Sequence, residues 1–187
     1  MLETWQGMEA ERKVEYIDGT AYMMAPSGTG HNSIGGNLFR IISNYLHKKR
    51  CKVFYETKVV FDEKNRFIPD LLVVCDRDKI KENYVQGAPD FVAEILSPST
   101  RKLDLSSKRD VYERFGVSEY WVIDPKAKTI DVYVLREGRY VMIGSHHPYT
   151  EAELDGLEEE VKAEVFLPLK LSLYEDLSID VREVFEE

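Results

Sequence analysis

The most hydrophobic positions of the chain fall in two short runs, Ile68–Cys75 and Asp90–Leu96. Runs that are apolar on both faces are typical of strands at the buried centre of a sheet. Each run nevertheless contains a carboxylate, Asp70 in the first and Glu94 in the second. An ionised carboxylate held away from water costs several kcal/mol unless it is paired or bound to a metal. The two interruptions therefore predict one shared site, which we interpret as a divalent metal site.

The remaining pattern mixes helical and strand periodicities, and it predicts a single α/β domain with a mixed sheet. Residues 151–164 hold seven acidic residues against one lysine, which indicates a solvated segment. The other predicted helices are a charged one at Glu9–Lys13, one from Ser33 to about Leu46, a short one with a loop at Asp76–Gln86, and one at Leu105–Phe115 that Asp104 caps and Gly116 ends. The other predicted strands are a hairpin turning at Asp18-Gly19, a strand within Lys52–Phe61, a strand at Glu119–Asp124, and a hairpin of Thr129–Leu135 and Arg139–Ile143. A closing strand and a short helix are predicted within Val165–Phe185.

Composition narrows the class of protein. The net charge of −9 argues against binding of nucleic acid by bulk electrostatics alone. The two cysteines, Cys51 and Cys75, fit neither a zinc pattern nor a disulfide framework, which favours a reducing cytoplasm. The N-terminus lacks the features of a signal peptide, and no run approaches the roughly 18–20 apolar residues of a membrane span. We therefore expect a cytoplasmic protein that does not enter a membrane.

The types of residue in the two central runs favour a hard cation. Adjacent strands lie about 4.8 Å apart, so Asp70 and Glu94 can reach one ion, and the backbone carbonyl of Ile95 can add another oxygen. Mg²⁺ takes oxygen ligands, usually one or two carboxylates with waters and substrate phosphate. On the following helix, Lys108 shares a face with core residues. It could orient or help to deprotonate a metal-bound water, or stabilise charge on a phosphoryl group.

Each of these residues also has a purely structural interpretation. Asp70 could cap a turn after Pro69, Glu94 and Lys108 could form a buried ion pair, and Lys108 could extend past the core to water.

Two other motifs give weaker evidence for a function. The glycine-rich stretch Gly28–Gly36 lacks the Gly-Lys-Ser/Thr ending of a phosphate-binding loop. A serine hydrolase using Ser97 or Ser99 with His31 would lack the Gly-x-Ser-x-Gly turn.

Several motifs in order resemble a known family. Pro69-Asp70 followed by Glu94-Ile95-Leu96 is similar to the signature of the PD-(D/E)XK nuclease superfamily, which has the restriction endonuclease-like fold. A longer series extends the likeness to the Uma-type restriction endonuclease family over about Val14 to Leu135, with a similar ending at Phe166–Leu177. That series comprises Glu15-Tyr16-Ile17-Asp18-Gly19, His31, Pro69-Asp70, Glu94 to Thr100, Asp104, Lys108, Tyr112, Gly116-Val117 and Glu119-Tyr120-Trp121.

The resemblance implies one domain over residues 1–187, with a core at about 14–135 and a C-terminal β extension at 136–187. In that fold a central mixed β-sheet is flanked by helices and preceded by an N-terminal hairpin. The resemblance implies that a homodimer hydrolyses DNA with the help of Mg²⁺ or Mn²⁺. It also implies that Asp70 and Glu94 are the metal ligands.

The chain departs from the superfamily pattern at one catalytic position. Leu96 stands where the usual lysine lies, so the lysine role is expected to pass to Lys108, with Lys102 as runner-up. His31 and Glu15 are implied to lie on the substrate side of the same pocket. Because of Leu96 and the acidic charge, a non-catalytic relative that binds nucleic acid or acts as an accessory module remains the alternative.

Overall fold

The structure is a computed structural model that describes residues 13–165 and 168–186, without the side chains of residues 163 and 164. The predicted helix at Glu9–Lys13 lies outside these residues except for Lys13, which is not helical. The strands are β1 (Val14–Ile17), β2 (Thr20–Met23), β3 (Lys52–Tyr55), β4 (Val59–Val60), β5 (Arg66–Phe67), β6 (Leu71–Val74), β7 (Val85–Gln86), β8 (Phe91–Ile95), β9 (Glu119–Asp124), β10 (Thr129–Arg136), β11 (Arg139–His146), β12 (Leu169–Leu171) and β13 (Tyr174–Ile179). The α-helices are α1 (Thr29–Leu46), α2 (Arg101–Leu103), α3 (Arg109–Phe115), α4 (Glu151–Asp155), α5 (Glu159–Val165) and α6 (Val181–Val184).

The largest sheet is mixed and runs in the order β11-β10-β9-β8-β6-β3. Strands β8 and β9 are parallel, and the other neighbouring pairs are antiparallel. All residues of β6 and β8 are buried, as their apolar runs predict. The α/β class with a mixed sheet is therefore confirmed.

Alternate residues of the central strands face two separate hydrophobic clusters. Leu71, Val73 and Ala93 belong to the cluster that contains helix α1 and the β12–β13 hairpin. Leu72 and Val92 belong to the cluster that contains Val111 and Tyr112 of α3 and residues of the small second sheet. Even-numbered positions of β6 and β8, including the one that Glu94 occupies, thus face helix α3.

The second sheet, in the order β2-β1-β5-β4-β7, begins with the predicted hairpin. Asp18 and Gly19 both have positive φ, 47° and 84°. Two such residues form the turn that best matches the twist of a two-residue hairpin. This hairpin carries Glu15 on β1, and it brings that side chain next to the central sheet.

Several predicted elements differ from the observed ones, three of them in ways that change the picture of the fold. The Lys52–Phe61 strand divides at Glu56 (φ 44°) into β3 of the large sheet and β4 of the small one. Helix α1 begins at Thr29 rather than Ser33. The acidic segment contains helices α4 and α5, the first of which begins with a capping box between Thr150 and Glu153.

The expectation that the cysteines do not pair is wrong. Lys52 and Val74 are partners in the β3–β6 ladder, so Cys51 and Cys75 lie opposite each other just beyond it, and they form a disulfide. Their separation of 24 residues gave no local sign of this pairing. The argument from cysteine usage for a reducing compartment therefore fails.

The C-terminal segment shares the main core of the molecule. Leu169, Leu171 and Ile179 are buried in the same cluster as helix α1. Buried Glu119 on β9 accepts hydrogen bonds from Trp121 Nε1 (2.6 Å) and from the backbone N–H of Ser172 (2.7 Å), and so ties the β12–β13 hairpin to the large sheet. Among the helices of residues 13–165 and 168–186, none has both the length and the hydropathy of a membrane span.

Candidate active site

The two predicted acids lie at one cavity. Leu71 pairs with Ala93 across the antiparallel β6–β8 ladder, so Asp70, one residue before β6, lies opposite Glu94 on the same face. Asp70, Glu94 and the backbone of Ile95 line a cavity of about 250 Å³, together with Lys108. The register thus places the two carboxylates together, as one shared site requires.

Asp70 is fixed from two sides. Its Oδ2 accepts a hydrogen bond from the backbone N–H of Ile95 (2.7 Å) and lies 3.3 Å from His31 Nε2. Ile95 lies on the neighbouring strand β8, so the interpretation of Asp70 as a local cap after Pro69 is not supported. Burial works to lower the pKa of His31, but the hydrogen bond and charge of Asp70 outweigh it and raise that pKa. The contact with Asp70 therefore outweighs the burial of the imidazole and sets the direction of this pKa shift.

Lys108 lies at the centre of a buried cluster of carboxylates. Its Nζ is 2.6 Å from Glu94 Oε1, 3.2 Å from Glu15 Oε1 and 3.4 Å from Asp104 Oδ1. Only 1% of the Lys108 surface is exposed, so the lysine does not extend past the core to water. Glu15 is held in turn by the backbone N–H of Ile68, which donates to the same Oε1 at 2.7 Å.

The charge of this cluster decides what the lysine can do. Burial works to lower the pKa of Lys108, but the charges of Glu15, Glu94 and Asp104 outweigh it and raise that pKa well above its ordinary value. The pKa of Glu94 is also raised well above its usual range, mainly because the carboxyl is buried. The charge of Lys108 works to lower this pKa, but burial and the repulsion of Asp104, Asp70 and Glu15 outweigh it. Lys108 is therefore a fixed positive charge, and our suggestion that it helps to deprotonate water is not supported.

Two members of the cluster had no predicted role in the site. Asp104 was expected to cap a helix, but it begins a π-helical turn, Asp104–Lys108, that continues α2 into α3. Burial raises the pKa of Asp104 against the opposing charge of Lys108. Tyr112 donates a hydrogen bond from its hydroxyl to Glu94 Oε1 at 2.6 Å. Both lie four residues from Lys108, and that spacing was the available signal.

The other candidates take no part in the cluster of acids and Lys108. Lys102 is exposed and does not line the cavity, so the structure does not bring the runner-up lysine to the acids. Ser97 hydrogen-bonds to Ser99 (3.0 Å) and Thr100 (2.9 Å) through its hydroxyl. Both serines line the cavity with His31, but within the described part of the chain neither forms a hydrogen bond with it, which gives no support to a serine hydrolase.

The donor set suits a hard cation. Asp70 Oδ1 and Glu94 Oε2 make no hydrogen bond within residues 13–165 and 168–186, whereas Asp70 Oδ2 and Glu94 Oε1 each have partners. In the same ranges, no three His, Cys, Asp or Glu side chains are grouped to hold an ion by themselves. Two carboxylates and a backbone carbonyl, completed by water and substrate, match the usual demand of Mg²⁺. A cation there would also offset the acidic excess around Lys108.

The mixed sheet, with an acid at the start of one central strand and another near the end of its neighbour, is the arrangement that the resemblance to the restriction endonuclease-like fold predicts. A family model, Uma2, described as "Putative restriction endonuclease", matches residues 1–172. The chain therefore belongs to the Uma2 family.

The chain is also similar to one solved structure and to two uncharacterized proteins. A crystal structure of a "putative nuclease belonging to DUF820" from Anabaena variabilis has the same fold, with a TM-score of 0.72 and 20% identity over 95% of this chain and 92% of that one. The uncharacterized protein slr1290 of Synechocystis is 29% identical over 132 residues, 69% of each chain. The uncharacterized protein sll1609 of the same organism is 25% identical over 130 residues, 67% of this chain and 73% of that protein.

Proposed function

We propose that this protein is a metal-dependent endonuclease that hydrolyses phosphodiester bonds of DNA. One observation carries the proposal: Asp70 and Glu94, opposite each other on neighbouring strands, line one cavity with a buried lysine 2.6 Å from Glu94. In the proposed site Asp70, Glu94 and the carbonyl of Ile95 hold Mg²⁺ or Mn²⁺. The bound cation supplies Lewis-acid activation of the phosphodiester.

The protein residues hold this site in place. Lys108 and Tyr112 both bind Glu94 Oε1 and so hold this carboxylate in place. The N–H of Ile95 does the same for Asp70. Pre-positioned ligands of this kind lower the cost of binding a cation, since no side chain has to be reorganised.

The two residues expected on the substrate side, His31 and Glu15, are proposed to have different roles. His31 lines the cavity with its Nε2 3.3 Å from Asp70 Oδ2, so it lies where a phosphate bound beside Asp70 would meet it. Glu15 contacts Lys108 rather than open space, so we assign it a positioning role instead of a substrate-side one.

We further propose a single domain over residues 1–187, with the core at about 14–135, and a homodimer. A duplex has two strands to cut, and a two-fold symmetric pair of sites meets that requirement. DNA as the substrate rests on the family's description.

Cleavage of supercoiled plasmid in the presence of Mg²⁺ or Mn²⁺ tests the activity. We expect nicked or linear product from the natural chain, and loss of at least about 100-fold in rate for Asp70→Asn and Glu94→Gln. Asp110→Asn, which changes an exposed acid on α3, is the matched control and should cleave normally. Equal rates for all four proteins would refute the assignment of the site.

The second candidate is a non-catalytic relative that binds nucleic acid. It is favoured by Leu96 and by the capture of Lys108 among three carboxylates. Calorimetric titration separates the two: a nuclease should bind Mn²⁺ in a manner lost in Asp70→Asn, whereas the non-catalytic relative should show no such binding at millimolar concentration.

A further inference from the structure

An apolar cavity of about 780 Å³ adjoins the candidate active site. It lies between the start of helix α1, the segment after β2 and strand β3, and its surface is mainly apolar. Pockets of about 300–1,000 Å³ with apolar walls and a few polar groups are typical binding sites for small molecules. The metal chemistry proposed above does not use this cavity.

Two aromatic rings form one wall of the cavity. Phe39 of α1 and Tyr55 of β3 pack edge to face, with ring centroids 6.3 Å apart. Tyr55 fits against the helix only because residue 35 is glycine: a Cβ at Gly35 would lie 2.7 Å from Tyr55 Cε2. The Tyr55 hydroxyl donates a hydrogen bond to Asn32 Oδ1 at 3.4 Å, which places a side-chain amide at the rim.

Gly36 opens the helix side of the cavity. A glycine within a helix costs about 1 kcal/mol relative to alanine. Close packing against Tyr55 explains Gly35, but a Cβ at Gly36 would meet no atom of residues 13–165 and 168–186 within 4 Å. Gly36 is exposed and lines the cavity, so its missing side chain leaves room for a ligand rather than for a neighbouring residue.

The apolar cavity and the candidate active site share one wall. The residues that line both are Lys13, Met24, Ala25, Pro26, Ser27 and Glu56. Lys13 and Glu56 form an ion pair of 2.6 Å along this common wall. The two cavities are therefore direct neighbours, and this wall separates them.

We propose that this cavity binds an unpaired nucleobase of the DNA strand whose phosphodiester lies in the candidate active site. The inference rests on the proposed function. Aromatic walls suit a base, because stacking on aromatic side chains contributes about 1–3 kcal/mol per base and tolerates any sequence. A base stacked within a duplex cannot enter such a cavity without being turned out. The bound base is therefore unpaired, either in a single strand or after it has been turned out of a duplex at the cost of breaking its pairing and stacking.

Filling the cavity from the helix tests this proposal. Gly36→Leu places a side chain in the cavity and favours the helix, since leucine is a good helix former. Gly30→Leu is the matched control: Gly30 also lies on α1, has open space around it and lines neither cavity. Fluorescence anisotropy of the full chain, at fixed salt with Ca²⁺ replacing Mg²⁺, measures the Kd for a labelled single strand of about 15 nucleotides and for its duplex.

We expect the natural chain to bind the single strand more tightly than the duplex. Gly36→Leu should weaken single-strand binding by about tenfold or more, whereas Gly30→Leu should stay within about twofold of the natural chain. Phe39→Leu, which removes one ring and keeps an apolar side chain, should also weaken it. Equal Kd values for Gly36→Leu and Gly30→Leu, or tighter binding of the duplex by the natural chain, would overturn the proposal.

This result is independent of the test of cleavage. If Asp70-dependent cleavage occurs but Gly36→Leu binds like Gly30→Leu, the base cavity is refuted and the nuclease remains. If Gly36→Leu selectively loses single-strand binding but no metal supports cleavage, the cavity remains and the nuclease is refuted.

Discussion

Replacing Lys108 by methionine removes a buried positive charge and keeps most of the side-chain volume. Glu15, Glu94 and Asp104 lie within 3.4 Å of the ammonium group, and all four residues are buried. In Lys108→Met the carboxylates would face one another without a counter-charge. The variant therefore tests whether the lysine anchors the centre of the site.

The expected loss of stability follows from these distances. With an effective dielectric constant of about 20, each of the three attractions amounts to about 5–6 kcal/mol before opposing terms are counted. Desolvation of the ammonium and repulsion among the carboxylates offset most of this sum. Removing one partner of a buried ion pair usually costs about 3–5 kcal/mol, and we expect Lys108→Met to lie in that range.

Urea denaturation at pH 7 measures the change, provided that the slope of the free energy against urea is unchanged. Lys102→Met is the control, because Lys102 is exposed, and it should change the free energy of unfolding by no more than about 0.5 kcal/mol. A loss below about 1 kcal/mol for Lys108→Met would refute the picture of a buried charge cluster.

The other predictions concern pH, packing and the disulfide. Burial raises the pKa values of Glu94 and Asp104, so their contributions to stability are present at acid pH and are lost as pH rises through those values. Between pH 5 and pH 7, the free energy of unfolding should therefore fall less in Glu94→Gln than in the natural chain. An equal fall in the two proteins would contradict this. Gly35→Ala should lower stability by about 1–3 kcal/mol because of Tyr55, whereas Gly36→Ala should raise it, and thermal unfolding distinguishes the two. Reduction of Cys51–Cys75 should cost about 3 kcal/mol, and no change in the urea midpoint with dithiothreitol would refute that bond.

The centre of the fold was predictable because burial on both faces leaves a continuous apolar run. Strands β6 and β8 show this pattern, and a carboxylate in such a run stands out. The division at Glu56 was not predictable in the same way. Its positive φ occurs at a residue with no turn preference, and the chain changes sheets there for reasons that depend on distant partners.

The site shows the same limit of local patterns. Lys108 was recognisable as a charge on an apolar helical face, but Asp104 was given a capping role because aspartate before a helix usually caps it. Its contact with Lys108 depends on a π-helical turn and on burial by the rest of the fold. The pairing of Cys51 with Cys75 likewise depends on β3 lying beside β6, which no local spacing indicates.

A crystal soaked with Mn²⁺ tests the central claim most directly, since anomalous scattering locates the ion without reference to activity. We predict one peak within coordination distance of Asp70 Oδ1, Glu94 Oε2 and the carbonyl oxygen of Ile95, with Lys108 still paired to Glu94. Crystals of Asp70→Asn should lose this peak. A soaked crystal with no ion between Asp70 and Glu94, or with the ion bound elsewhere, would contradict the account.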